Sequence, residues 1–160
     1  MTNLTLSILL QVSILGAGPQ AKANEYAQAY EKAAANGQPI MVLVGADWCP
    51  ACVTMKSAVI PEIRRRGSLG KVAFATVNTD NQSQLANQLM TGGGIPQLIM
   101  FYKSDKGWKR TQVIGSVSAE TVETMINRGI SATEAAKSKT TTAANTTPAK
   151  PIAAKVEASK

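Results

Sequence analysis

The chain has 160 residues, a formal net charge of +7, two cysteines and no histidine. Without histidine, an isolated chain cannot build Ser-His-Asp or Cys-His hydrolytic sites or a metal site with imidazole ligands. Two cysteines cannot close a four-ligand zinc site, and Val53 stands where a c-type haem attachment needs histidine. Because basic residues are not interleaved with aromatics, we expect no nucleic-acid partner. Redox chemistry or a structural cysteine pair remains.

Residues 1–23 have the pattern of a secretory signal peptide. Residues 4–15 form an apolar run that is too short for a membrane-spanning helix of about 20 residues. Ala21-Lys22-Ala23 fits the small-x-small cleavage pattern, which predicts cleavage after Ala23. No Lys or Arg precedes the run, so an uncleaved apolar helix or a misplaced start codon is the alternative. We expect an exported protein, periplasmic or extracellular, without stable membrane insertion after cleavage.

Residues 24–130 alternate helical and strand patterns, which predicts a single α/β domain. Apolar periodicity and turn residues predict helices at 25–35, from Cys49 onward, at 83–90 and at 119–130. Continuous or flanked apolar runs predict strands at 39–44, 71–77, 97–102 and 109–114, the first two buried. Pro61 is expected to kink or end the helix after Cys49, and Ser118 to cap the last helix.

Residues 131–160 are dominated by Ala, Thr, Lys and Pro, with no aromatic residue and no apolar periodicity. Such a segment buries too little apolar surface to offset the entropy lost on ordering. We therefore predict a disordered, solvated tail.

The two cysteines lie where a buried strand is followed by a helix. The exposed N–H groups and the dipole at a helix N-terminus favour thiolate, so Cys49 is the candidate nucleophile. Cys52, one turn further along, can attack a mixed disulfide on Cys49 and is the candidate resolving cysteine. Trp48 would cover one side of the site. The alternative is an inert staple, but a disulfide that closes so short a loop stabilises little.

Trp48-Cys49-Pro50-Ala51-Cys52 after a buried strand, with Ile95-Pro96 before a later one, resembles the thioredoxin superfamily over about residues 25–130. The Asp-Trp-Cys form is similar to exported thioredoxin-like domains of disulfide-reductant relays. The resemblance implies a thioredoxin fold, with a central mixed β-sheet flanked by helices. It also implies that Pro96 is cis and lies against the cysteine pair, and that Ile95 offers backbone hydrogen bonds to a substrate peptide.

Two positions depart from the thioredoxin pattern. Leu43 stands where thioredoxins carry a buried Asp, and Thr76 where the following strand carries a Lys. The proton acceptor for Cys52 is therefore open, and exposed Asp47 is not assigned that role. The Cys-Pro-Ala-Cys form leaves the redox direction open as well, with reduction slightly favoured by the Asp-Trp-Cys resemblance.

The resulting hypothesis is a thiol–disulfide oxidoreductase that exchanges disulfides with protein substrates and an upstream redox partner. It has Cys49 and Cys52 as catalytic residues, and Trp48, Ile95 and Pro96 as substrate-binding residues. We expect a monomer with no cofactor and no metal. The alternatives are a binding or chaperone module whose cysteine pair is not catalytic, and a redox sensor that contacts a partner in one oxidation state only.

Overall fold

A computed structural model of the chain describes residues 25–144, with side chains as far as residue 140. The predicted signal peptide and the part of the predicted tail beyond residue 144 lie outside the described residues. Within the described part of the chain, no helix combines the length and apolar character needed to cross a membrane.

A four-stranded mixed sheet with the order β2-β1-β3-β4 forms the centre of the molecule. Its strands are β1 (Ile40–Gly45), β2 (Ala73–Asn78), β3 (Gln97–Ser104) and β4 (Gly107–Ile114). Strand β1 runs parallel to β2 and antiparallel to β3, and β3 and β4 form an antiparallel hairpin. Every residue of β1 is buried, as its continuous apolar run predicts.

Strand β2 differs from its prediction as a second fully buried strand that begins at Lys71. It begins at Ala73, because Ser68–Lys71 form a 3₁₀ turn, and its residues alternate between buried and half-buried. Successive residues of a strand face opposite sides of the sheet, and at this edge position Ala73, Ala75 and Val77 pack in an apolar cluster, whereas the residues between them face a side that is only partly covered.

Between residues 25 and 144, five α-helices flank the sheet. They are α1 (Glu25–Asn36), α2 (Pro50–Thr54), α3 (Ile60–Arg65), α4 (Ser83–Leu89) and α5 (Ala119–Ala144). Met41 and Leu43 of β1 pack with α3 and α5 on one face, and Val42 and Val44 pack with α1 and α4 on the other. This confirms the predicted mixed sheet flanked by helices in a single domain.

The helical path continues through Pro61, so the predicted helix end at that proline is wrong. A π-helical turn, Met55–Val59, joins α2 to α3, and the Ile60 N–H donates to the Met55 carbonyl five residues earlier. This wider turn places Pro61 in the first turn of α3, where its missing N–H leaves no helical hydrogen bond unmade. The predicted cap is confirmed, since the Ser118 hydroxyl accepts from the Thr121 N–H at 3.3 Å.

Helix α5 continues to residue 144, so the predicted disorder from residue 131 is wrong as far as the structure describes the chain. Thr133 and Ala136 are buried in this extension. Lys137 donates to the Asn36 carbonyl at 3.5 Å, and Lys139 pairs with Asp105 at 2.9 Å. The amino-acid composition of this segment did not predict the extension, because small residues on a helix can pack closely although they contribute no large apolar side chains.

Candidate active site

The two cysteines meet where β1 ends and α2 begins, and a disulfide joins them in this structure. Cys49 is the N-cap of α2, and its Sγ accepts from the Cys52 N–H at 3.2 Å. Cys49 is 6% exposed and Cys52 is fully buried. The backbone donor and the helix N-terminus both favour negative charge on the Cys49 sulfur once the disulfide is reduced.

The Ile95–Pro96 peptide lies against this pair. The bond is cis, as the resemblance implies, and the Ile95 carbonyl oxygen is 3.8 Å from Cys49 Sγ. Ile95 also packs on the small apolar cluster that contains both cysteines and Ala46. Four of the five residues predicted for the site, Cys49, Cys52, Ile95 and Pro96, therefore converge although the two pairs are more than forty residues apart in the sequence.

Trp48, the fifth predicted residue, is 70% exposed beside the cysteines. Its indole Nε1 donates to the Asp80 carboxylate, at 3.1 Å from Oδ2 and 3.3 Å from Oδ1. Asp80 comes from the turn after β2, so two loops at the same end of the sheet hold the indole. Asp80 was not anticipated, because a turn aspartate carries no sequence signal for a partner 32 residues away.

Of the two positions that depart from the thioredoxin pattern, one carries an apolar side chain and the other a hydroxyl that is hydrogen-bonded to Glu25. Leu43 is fully buried within the apolar cluster beneath α3, and it pairs in register with Thr76. The Thr76 hydroxyl donates to Glu25 at 2.5 Å. Asp47 lies in the exposed turn, 2.8 Å from Lys56 Nζ and 3.0 Å from Asn78 Nδ2. Asp47 therefore lies on the surface of the turn, as expected, and is not the proton acceptor assigned to Cys52.

Gln97, directly after Pro96, was not predicted to belong to the site. Its side chain is completely buried, and its amide hydrogen-bonds to Thr91 and Gly94 in the loop that leads to Ile95. A polar residue at the start of an otherwise apolar strand was the available signal. Among the described residues, no group of His, Cys, Asp and Glu side chains could hold a metal ion.

Comparison with known proteins agrees with this geometry. A family model described as thioredoxin-like matches residues 20–103. The chloroplastic thioredoxin M5 of Oryza sativa subsp. japonica is 33% identical over 93 residues, which are 58% of this chain and 51% of that protein. The chain thus spans about half the length of the curated relative it matches.

Two solved structures show the same fold. A thioredoxin from Thermus thermophilus superposes with a TM-score of 0.54 at 21% identity, covering 64% of this chain and 82% of that one. Trichomonas vaginalis thioredoxin gives 0.51 at 20% identity, covering 66% and 90%. Because the family model spans more than half of the 160 residues, and the fold and cysteine geometry agree with it, the chain belongs to the thioredoxin-like family.

Proposed function

We propose that this protein is a thiol–disulfide oxidoreductase that acts on protein disulfides, with Cys49 as nucleophile and Cys52 as resolving cysteine. The observation that carries the proposal is the placement of Cys49. Its sulfur is bonded to Cys52, accepts a backbone N–H at the head of a helix, and faces the Ile95 carbonyl. A structural staple requires the bond to Cys52, but neither the backbone donor nor the nearby Ile95 carbonyl.

The exchange proceeds in two displacements when the protein acts as a reductase. The Cys49 thiolate attacks one sulfur of a substrate disulfide, and the other substrate sulfur leaves as a thiolate. Cys52 then loses its proton and attacks Cys49 Sγ in the mixed disulfide, which releases the second substrate thiolate. Two electrons pass to the substrate, and the Cys49–Cys52 disulfide is formed. An upstream dithiol partner restores the reduced protein by the reverse exchange.

We favour this reductive direction because the Asp47-Trp48-Cys49 form resembles reductant relays. The buried position of Cys52 supports its role as the second nucleophile, since a buried thiol is protected from substrate until the mixed disulfide brings an electrophilic sulfur to it. With Leu43 in place of a buried carboxylate, the proton of Cys52 passes to solvent or to the departing substrate thiolate.

The two cysteines can be tested separately. Cys49→Ser should abolish insulin reduction in the presence of a dithiol, whereas Cys52→Ser should form a mixed disulfide on Cys49 and release it slowly. The control is Val53→Ser, an exposed position one residue further along α2. If Cys49→Ser kept the turnover of the Val53→Ser protein, the proposal would fail.

A binding module with a non-catalytic cysteine pair is a second candidate, and the buried Leu43 favours it. A redox sensor would share the same surface but would bind its partner in one oxidation state only. Equilibration of the cysteine pair against glutathione separates these candidates from exchange catalysis. A pair that titrates and turns over supports the oxidoreductase, and a pair that resists reduction supports the module. Binding of a partner in one oxidation state without turnover supports the sensor.

We place this activity in an exported compartment, supported by the leader pattern of residues 1–23. N-terminal sequencing of the protein from its host is expected to begin at Asn24. A protein that retains Met1 and remains inside the cell would contradict export and would leave the exchange chemistry unaffected.

A further inference from the structure

The buried side chain of Gln97 joins the cysteine site to the loop of residues 91–94. Its Nε2 donates to the Gly94 carbonyl at 3.0 Å and to the Thr91 carbonyl at 3.5 Å. Its Oε1 accepts from the Thr91 N–H at 3.3 Å. The amide therefore closes the loop by bonding to both ends of it, and Gly94 is the residue directly before Ile95.

The loop needs an external support because its own sequence does not define one conformation. Residues 92–94 are all glycine, and Gly92 and Gly94 have φ values of 77° and 94°. Glycine has the largest backbone freedom of any residue, so a three-glycine segment samples many conformations unless other groups hold it. Because Gly94 is joined directly to Ile95, a change in the loop conformation would also displace the Ile95 backbone.

A second set of hydrogen bonds supports the loop from β4. Arg110 donates to the Thr91 hydroxyl at 2.7 Å and to the Leu89 carbonyl at 2.5 Å. The Gln112 amide donates to the Thr91 carbonyl at 3.2 Å. These contacts hold the start of the loop, while Gln97 also reaches its end. The combination fixes the path of the backbone into Ile95.

We propose that Gln97 is a positioning residue that holds the 91–94 loop, so that the Ile95 backbone stays aligned with Cys49 for a polypeptide substrate. The inference rests on the proposed function and deepens it by naming what sets the substrate class. A substrate peptide uses the Ile95 backbone, whereas a small aromatic disulfide requires only access to the Cys49 sulfur. Gln97 therefore gives the site its preference for protein disulfides over small disulfides.

The test compares two substrates for each variant. Gln97→Leu removes all three hydrogen bonds at similar volume, and Gln97→Met removes them with an unbranched side chain of similar length. Thr133→Val is the control, because it removes another buried polar contact, to Gly129, in α5 away from the loop. Turnover is measured with insulin and with Ellman's reagent, together with the reduction potential of the cysteine pair.

Both Gln97 variants should lower kcat/KM for insulin, mainly through a higher KM and by about tenfold to a hundredfold, since a misplaced positioning group can cost on the order of a hundredfold in rate. Turnover of Ellman's reagent and the reduction potential should stay at the Thr133→Val values. Equal losses on both substrates, or an unchanged KM for insulin, would overturn the positioning role. A wild-type protein that reduces neither substrate would instead refute the proposed function.

If Gln97→Leu does not fold, the activity of Arg110→Met and amide hydrogen exchange in the loop test the same role. Arg110→Met, at an exposed position, removes the hydrogen bonds from Arg110 to Thr91 and Leu89. It should raise KM for insulin in the same way, by a smaller factor. Amide hydrogen exchange at Thr91 and Ile95 should accelerate in any folded loop variant, whatever the activity. Exchange that is as slow as in the Thr133→Val protein would overturn the proposal.

Discussion

A Cβ atom on Gly45 would lie 2.8 Å from Cys52 Sγ and 3.0 Å from Cys52 Cβ. Gly45 is the last residue of β1, directly beneath the cysteine pair. Its φ lies outside the left-handed region, so the backbone itself would accept alanine there. What requires glycine is the resolving sulfur, which the disulfide holds in place and which cannot move aside.

Gly45→Ala should therefore destabilise the oxidised protein, by about 1–3 kcal/mol as for other overpacked cores. Gly70→Ala is the matched control, because a Cβ at Gly70 meets no atom within 4 Å and its φ is not left-handed. The control should stay within about 0.5 kcal/mol of wild type. Urea unfolding of the oxidised proteins measures the difference. Equal midpoints for the two variants would show that the space beneath Cys52 is not restrictive.

Placing a carboxylate at position 43 tests whether the surroundings of the Leu43 side chain are apolar and closed to water. In Leu43→Asp, burial should raise the carboxyl pKa well above its usual range near 4. The folded protein then binds a proton that the unfolded chain has lost. Stability should consequently fall as pH rises from about 4 through the raised pKa, reaching a loss of about 3–5 kcal/mol at pH 7.

The control for that titration is Leu43→Asn, which buries a polar group of similar size that does not ionise. Both variants should be destabilised, but only the aspartate variant should lose additional stability with rising pH. Chemical unfolding at several pH values between 4 and 8 compares them. Parallel pH profiles would mean that water or a nearby cation reaches position 43, contrary to its complete burial.

The core of the fold and the chemistry of the site could be predicted from local sequence patterns. The apolar run of β1 and the spacing of Cys49 and Cys52 depend on residues close together in the chain. Gln97 gave only the signal of a polar residue at the start of an apolar strand, although its partners lie within six residues of it. Asp80 and the extension of α5 could not be predicted in this way. Their partners lie in other elements, so their roles follow from packing that no short window of sequence contains. The continuation of the helix through Pro61 could not be predicted either. The low helix propensity of proline predicts an interruption, but the π-helical turn before Pro61 allows the helical path to continue.

The ion pair between Asp105 and Lys139 ties the β3–β4 turn to the α5 extension. The Lys139 ammonium, through its hydrogen bond and its charge, lowers the pKa of the Asp105 carboxyl below its usual value. This pair therefore contributes its stability above the unfolded pKa, near 4, and loses it as pH falls through the lower folded pKa. Both groups are exposed, so the contribution is small.

Carboxyl NMR titration should report a lowered pKa for Asp105 in wild type and a return toward the usual value in Lys139→Met. Lys137→Met is the control, since Lys137 lies on the same extension but its ammonium contacts the Asn36 carbonyl. It should leave the Asp105 titration unchanged. An unshifted Asp105 in wild type would show that the extension does not hold Lys139 against the turn in solution.

The packing of α5 beyond residue 130 can be tested with two adjacent alanines. Ala136 is buried at 5% exposure, whereas Ala135 is exposed on the other side of the same turn. Glutamate at either position changes helix propensity and net charge equally, so burial alone distinguishes the two substitutions. Ala136→Glu should cost about 3 kcal/mol or more, because it places an unpaired charge in a buried site. Ala135→Glu should stay within about 0.5 kcal/mol of wild type. Thermal and urea unfolding measure both, and equal stabilities would mean that this segment does not dock on the domain, as its composition alone predicts.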